Sequence, residues 1–246
     1  MKRIELFEFE DFTALPQNIR AGITNLLKIF HRMMGTSDLL SKLLLDVKTK
    51  YDFDQIVDLG SGSGGAMPEV VEQYNQLSTK NPSRLILTDK FPNLNVAEQI
   101  NSKVDSVIRY QTESLDAQNI RQAPSGLKTM IASFHHMKPS IAKKILNGAQ
   151  ENREAILIYE VAQNKIPLFL WWILLPLSLS ILVLMSLIMT LFVRPLTLKQ
   201  LIFTYIIPII PLIYAWDGQA SLVRTYTFDD IKNLIENQTS NTYTWE

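Results

Sequence analysis

The spacing of apolar positions changes twice along this chain. Through the first fifty residues it is helical. In "PQNIRAGITNLLKIFHRMM" the residues Ile19, Ile23, Leu26, Leu27 and Phe30 fall on one stripe, and Pro16 can open the helix. Gly35 stops it. Thr36 or Ser37 can cap a second helix, "DLLSKLLLDVKTK", whose apolar face is Leu39, Leu40, Leu43 and Leu44. From Asp54 short apolar runs alternate with amphipathic stretches. "QIVDLG", "RLILTD", "SVIRYQ", "TMIASF" and "AILIYEVA" read as strands; "AMPEVVEQYNQL", "NLNVAEQINSK" and "PSIAKKILNGAQ" read as helices. Such alternation predicts an α/β fold: a doubly wound, mostly parallel sheet covered on both faces, with ligands at the carboxyl ends of its strands.

After Ala162 the alternation ends. Ile166 to Val193 carries no charged residue, and Lys165 and Arg194 bracket it. The run exceeds the roughly 20 residues that cross a bilayer, and Trp171 and Trp172 near one end suit a membrane interface. A polar elbow, "RPLTLKQ", leads to a second apolar stretch, "LIFTYIIPIIPLIYAW", which Pro208 and Pro211 should kink. The tail then offers a helix, "TFDDIKNLIENQ", with Thr227 and Asp230 as a capping pair, and a strand, "TYTWE". If the tail rejoins the sheet, the chain returns to the side it left. The two apolar stretches then either cross as a hairpin or both dip in without crossing; a single span is excluded.

Composition narrows the chemistry. Lys+Arg and Asp+Glu number 24 each, so there is no basic excess for nucleic acid. Cysteine is absent, which removes disulfides, thiolate metal sites and a cysteine nucleophile and fits a reducing compartment. "MKRIELFEFEDF" is too acidic for a signal peptide. The three histidines are His31, His135 and His136, too few for a histidine-rich metal centre, and no metal is expected. His31 lies in an amphipathic helix and reads as structural.

"VDLGSGSGG" is the most informative stretch. Gly60, Gly62 and Gly64/Gly65 follow a strand and precede a helix, so the backbone can pass close to a ligand and expose the amides of a helix N-terminus. The spacing also satisfies the dinucleotide fingerprint. Asp58, however, would repel a pyrophosphate at this turn and attract an ammonium. Asp89, at the end of "LILTD", can accept from both ribose hydroxyls, and it comes later than the roughly 20 residues of the dinucleotide pattern. Asp116, in "SLDAQ", offers an acceptor for an adenine amino group.

In these three motifs, "VDLGSGSGG", "LTDKF" and "SLDA", the stretch from Asp54 to Gln163 resembles the class I S-adenosylmethionine-dependent methyltransferases. The resemblance implies a Rossmann-like fold and S-adenosylmethionine as cofactor. It places Asp58, Gly60, Ser61, Gly62 and Gly64 along the methionine end, Asp89 and Lys90 at the ribose, and Asp116 with the Ala117 amide at the adenine. It also implies two further strands after the fifth, of which "TYTWE" supplies one. Amino-methylating members often carry an Asn-Pro-Pro-Tyr type sequence after the fourth strand; here it reads "ASFHHMKP", which disfavours a planar amine acceptor.

His135 and His136 then fall near the transferred methyl group, where a histidine can take a proton from a hydroxyl or phenol. Glu160, ending "IYEVA", is a further candidate for the active site. Asp217 and Arg224, in "WDGQASLVRTYT", follow the second apolar stretch. Both are candidates for substrate binding, Arg224 as a holder for an anionic head group or carboxylate; the alternative is that the Trp-Asp-Gly turn is simply an aromatic anchor and helix stop. The expected organisation is N-terminal helices (1–50), a cofactor-binding core (51–164), a hydrophobic membrane insertion (165–216) and a tail rejoining the core (217–246). The expected function is methyl transfer to an apolar small molecule or lipid, with the bilayer as partner and the catalytic domain facing the cytoplasm. A noncatalytic membrane scaffold retaining the fold, and a soluble enzyme dimerised through the apolar arm, are the rival readings. Acceptor and oligomeric state stay open.

Overall fold

A computed structural model of the chain describes residues 3–78, 82–163, 165–235 and 243–246. In chain order the elements are α1 (Gln17–Met33), α2 (Thr36–Lys50), β1 (Gln55–Leu59), α3 (Met67–Leu77), β2 (Arg84–Thr88), α4 (Leu94–Asn101), β3 (Ile108–Tyr110), β4 (Leu127–Ile131), α5 (Pro139–Asn152), β5 (Ile156–Tyr159), α6 (Leu168–Thr190), α7 (Leu198–Leu201), α8 (Ile209–Arg224) and α9 (Phe228–Ile235). They form two compact units. One combines residues 35–160 with 228–246, the other residues 1–34 with 161–227.

The first of these is the sheet unit. Its five strands are all parallel, in the order β3-β2-β1-β4-β5. This is a Rossmann-like sheet. Ile56, Val57, Asp58 and Leu59 are all buried on β1, as expected of a central strand covered on both faces. Ile56, Leu85, Leu87, Ile108 and Leu127 pack with Leu40 and Leu44 of α2 and with Met67, Val70, Val71 and Tyr74 of α3. The chain leaves β3 on one side of β1 and re-enters at β4 on the other, so strand order reverses between β1 and β4. In such sheets the crevice for a ligand opens at that reversal, beyond the carboxyl ends.

The five expected strands are the five observed ones. Two local expectations change. Gly35, at φ +64°, rather than Thr36 or Ser37, is the residue that precedes α2. Leu39, assigned to its apolar face, is exposed. The tail also differs. Residues 243–246 form no strand; Thr242 lies outside the described residues. Tyr243 Oη donates to the Glu154 carbonyl at 2.8 Å and Trp245 Nε1 to Gln150 Oε1 at 3.0 Å. Side-chain donors, not a backbone ladder, hold this segment. The expected tail helix is α9, and it packs on α5.

The second unit is helical. α6 packs along α8, and α1 packs on both. Ile19, Ile23, Leu26 and Ile29 of α1 meet Met189, Val193, Ile210, Ile213 and Tyr214. Trp171, Leu175 and Val223 form a second cluster with Ile4 and Leu6. α6 runs through Pro176 without ending and is long and apolar enough to cross a membrane. The expected kink in the second apolar stretch lies at Ile207–Pro208, where the chain bends by 76° between a π-helical turn (Ile202–Ile206) and α8. Pro211 sits inside the first turn of α8, where it lacks no intrahelical donor.

The Trp-Asp-Gly stop does not form: α8 continues through Trp216, Asp217 and Gly218 to Arg224. The reason is tertiary. Asp217 accepts from the backbone N–H groups of Phe9 (2.8 Å) and Glu10 (3.2 Å), and Trp216 Nε1 donates to the Phe7 carbonyl (2.9 Å). These bonds anchor the N-terminal segment along the helix.

Candidate active site

The glycine loop joins β1 to α3. Gly60, Gly62, Gly64 and Gly65 all adopt positive φ (+74°, +54°, +95° and +51°), a region that costs an L-residue roughly 1–2 kcal/mol. Four such conformations within six residues coil the chain tightly, and only glycine adopts them without strain. Ser61 N–H donates to the Thr88 carbonyl at 2.9 Å and Gly64 N–H to the Ser61 carbonyl at 2.8 Å, which pins the loop to the end of β2.

Asp58 lies beneath the loop and is 4% exposed. Its Oδ2 accepts from Ser61 Oγ at 2.7 Å and its Oδ1 from Thr129 Oγ1, also at 2.7 Å. Burial pushes this carboxyl up to about 7, against the two hydroxyl bonds, and the nearby Asp89 charge adds to the rise. The sequence reading gave Asp58 to the ligand and missed Thr129. A threonine inside the buried strand "LKTMI" is the signal, because a buried hydroxyl needs a partner.

Asp89 stands at the tip of β2. Its Oδ2 accepts from the Gly62 amide at 2.8 Å and its Oδ1 from the Phe91 amide at 2.7 Å. Tyr110, at the end of β3, donates its hydroxyl to the Gly62 carbonyl at 2.6 Å. Burial raises the Tyr110 phenol to about 12, so it stays a donor. Asn93 caps α4 by accepting from Val96 N–H, and its amide reaches Ser63 Oγ at 3.2 Å. Tyr110 and Asn93 were not singled out from sequence.

Lys90 pairs with Asp116 at 2.8 Å. Asp116 also caps the short 3-10 segment Ala117–Gln122 through the Gln118 amide at 3.0 Å. Partial burial opposes the effect, yet the bonds from Lys90 and Gln118 hold the Asp116 carboxyl below its usual value. Asp58, Gly60, Ser61, Gly62, Gly64, Asp89, Lys90, Asp116 and Ala117 therefore occupy one rim, at the carboxyl ends of β1, β2 and β3.

The opposite wall comes from β4 and β5. Ala132 takes φ +50°, rare for a residue with a Cβ, directly after β4. Ser133 Oγ lies where it would be 3.6 Å from a Cβ added at Gly60, so the tips of β1 and β4 are close neighbours. His135 and His136 follow in a single 3-10 turn, with ring centroids 4.3 Å apart. Glu160, just past β5, faces His135 twice: Oε1 accepts from its backbone N–H at 2.9 Å and Oε2 lies 2.7 Å from Nδ1. A carboxylate there selects Nδ1 as the protonated nitrogen and leaves Nε2 as the basic one. Burial lowers the pKa of His31, which belongs to α1 in the helical unit.

Asp217 and Arg224 also belong to the helical unit. Asp217 takes the Phe9 and Glu10 amides. Arg224 Nη1 lies 2.6 Å from Asp11 Oδ2 and 3.1 Å from Glu8 Oε1. Their charges serve this N-terminal anchorage.

No family model matches the sequence, and no curated protein sequence matches it. Among solved structures, the chain is similar to the plantazolicin methyltransferase BpumL in complex with SAH: 14% identity, 90% of this chain and 69% of that one, TM-score 0.49. The same enzyme with a monoazolic desmethylPZN analog and SAH matches at 14% identity over 89% and 67%, TM-score 0.47. The pyocyanin biosynthetic protein PhzM matches at 14% identity over 78% and 46%, TM-score 0.40.

Proposed function

We propose that the chain is an S-adenosylmethionine-dependent methyltransferase whose acceptor is an apolar small molecule or lipid taken up at a membrane surface. One observation carries the cofactor reading: two carboxylates, Asp58 below and Asp89 beside, are bonded directly into a glycine loop at the reversal point of a parallel sheet. A third, Asp116, stands beyond the next strand and is paired with Lys90. Such a rim disfavours a pyrophosphate and favours a nucleoside bearing cationic groups.

The residues fit the cofactor. The loop Gly60–Gly65 provides a cradle whose only side chains are those of Ser61 and Ser63, Asp89 provides acceptors beside it, bonded to the Gly62 amide, and Asp116 with the Ala117 amide provides a mixed acceptor–donor edge suited to adenine. Bound S-adenosylmethionine supplies an electrophilic methyl group on a sulfonium. In this reading Asp58 and Asp89 set the local potential that favours the cation, while Ser61, Thr88 and Tyr110 hold the loop in shape. His135 Nε2 accepts the acceptor's proton, and Glu160 orients the ring and steadies the imidazolium that forms. A hydroxyl or phenol matches that base.

The helical unit supports the choice of an apolar acceptor. Phe169, Ile173, Leu177, Ile181, Leu184 and Ile188 recur at helical spacing along α6, with Leu191 just past its end, and all are exposed. Calorimetry with S-adenosylmethionine tests the cofactor half; absence of binding removes the proposal. Incubation with methyl-labelled cofactor and a membrane-lipid extract, with the product identified by mass, tests the acceptor half. Label appearing only in a water-soluble product would overturn it.

A further inference from the structure

We infer that α6 lies flat in the surface of a bilayer, with its outer stripe in the acyl region and its inner face toward water, instead of crossing. The inference rests on the membrane clause of the proposed function and on nothing in the cofactor site. α6 is about 34 Å long by its rise per residue, enough to cross hydrocarbon about 30 Å thick. What forbids crossing is its partner layer. α8 runs beside α6 with Val223 in the Trp171–Leu175 cluster and Ile210 in the cluster with Met189, so the two helices are antiparallel. A Cβ placed on Gly218 would sit 3.6 Å from Leu182 Cδ1, near the middle of α6. Asp217 is the residue before Gly218. It is buried, and it holds the amides of Phe9 and Glu10. Arg224, with Glu8 and Asp11, completes the charged set in the same segment.

A crossing α6 would therefore carry into hydrocarbon a non-helical stretch of backbone and, between Ile4 and Leu6 of the Trp171–Leu175 cluster, the exposed carboxylate of Glu5. Both are excluded from hydrocarbon unless walled in by protein. Laid flat, α6 puts the same groups on its aqueous side along its whole length. The charges agree. No Asp or Glu occurs from residue 161 to 216, while Lys165, Arg194 and Lys199 flank the stripe, all exposed. Cations at both ends and none of the opposite sign suit an anionic lipid surface. A second copy of the chain, the other occupant for such a stripe, offers no negative complement from this segment.

The chain has no cysteine, so single thiols report cleanly. Ala162→Cys and Leu198→Cys place one thiol before and one after α6, at exposed positions. The full chain is tested in sealed membrane vesicles of one orientation from expressing cells, with an impermeant maleimide. Both thiols should label to the same extent without detergent. Labelling of one alone, with the other appearing only after permeabilisation, means crossing and overturns the inference. A second measurement uses fluorophores on Ile173→Cys, Ile181→Cys and Ile188→Cys in phosphatidylcholine–phosphatidylglycerol vesicles. Depth quenching should be equal at the three; a graded profile overturns the inference. Arg194→Gln and Lys199→Gln should each weaken binding to these vesicles about fivefold. A dimer that ignores vesicles defeats the inference and the membrane clause together, yet leaves calorimetric cofactor binding intact, which separates this failure from that of the methyltransferase reading.

Discussion

The carboxylate of Asp89 accepts the Gly62 amide at 2.8 Å, so the tip of β2 locks the middle of the glycine loop that follows β1. Two separate strands are thus tied together at one edge of the sheet. The same carboxylate takes the Phe91 amide, which leaves its remaining acceptor directions for a ligand.

Asp89→Ala should lower affinity for S-adenosylmethionine about 10- to 100-fold, the range for losing a hydrogen bond to a charged acceptor. Asp89→Asn should lose less, since one oxygen remains. Titration calorimetry measures both. Unchanged affinity in the alanine variant would remove the ribose assignment.

Asp58 gives the protein a pH dependence whose sign follows from burial. Its carboxyl titrates near 3.8 when unfolded and at about 7 when folded, so the folded state holds the proton more tightly. The resulting stability is complete below the unfolded value and is lost as pH rises through about 7, on the order of a few kcal/mol in all. Chemical denaturation of the apo protein across that window should show the decline, and Asp58→Asn should flatten it. Bound cofactor opposes the decline, because a cation near Asp58 favours its ionised form. Affinity should therefore climb with pH and level off above about 7. A flat affinity profile would place the ammonium elsewhere.

His135→Ala should reduce kcat about 10²- to 10⁴-fold, the usual span for a general base, and leave cofactor affinity unchanged. Glu160→Gln is the sharper test. It keeps the shape but swaps the carboxylate facing Nδ1 at 2.7 Å for an amide. It should lower kcat and leave KM near its original value, because the ring loses the carboxylate that orients it. An unchanged kcat would make Glu160 a packing residue only.

Ala132 holds a left-handed conformation, at φ +50°, beside the crevice. Ala132→Gly relieves that strain and should stabilise the protein by about 1 kcal/mol, offset in part by the freer unfolded chain. Equilibrium unfolding measures it. A clear loss of stability would mean that the methyl group is packed and the conformation relaxed.

The sequence alone determined the sheet. Each strand is a short, mostly apolar run whose turn residues follow from local chemistry, and the glycines, Asp58 and Asp89 are legible because they stand at or near strand ends. It also located α6, since nothing else explains so long an uncharged run. The pairings were decided by tertiary structure. Thr129 beneath Asp58, Tyr110 on the Gly62 carbonyl and Glu160 on His135 join residues far apart in the chain, and no local pattern encodes which partner a buried polar group will find. The Trp-Asp-Gly sequence looks like a helix stop until the Phe9 and Glu10 amides bond to Asp217. "TYTWE" has strand composition, yet the indole of Trp245 and the phenol of Tyr243 bond to the Gln150 side chain and the Glu154 carbonyl. Propensity acts over a few residues. A hydrogen bond made far from water is worth more than such a preference, and it is the fold that decides where water is absent.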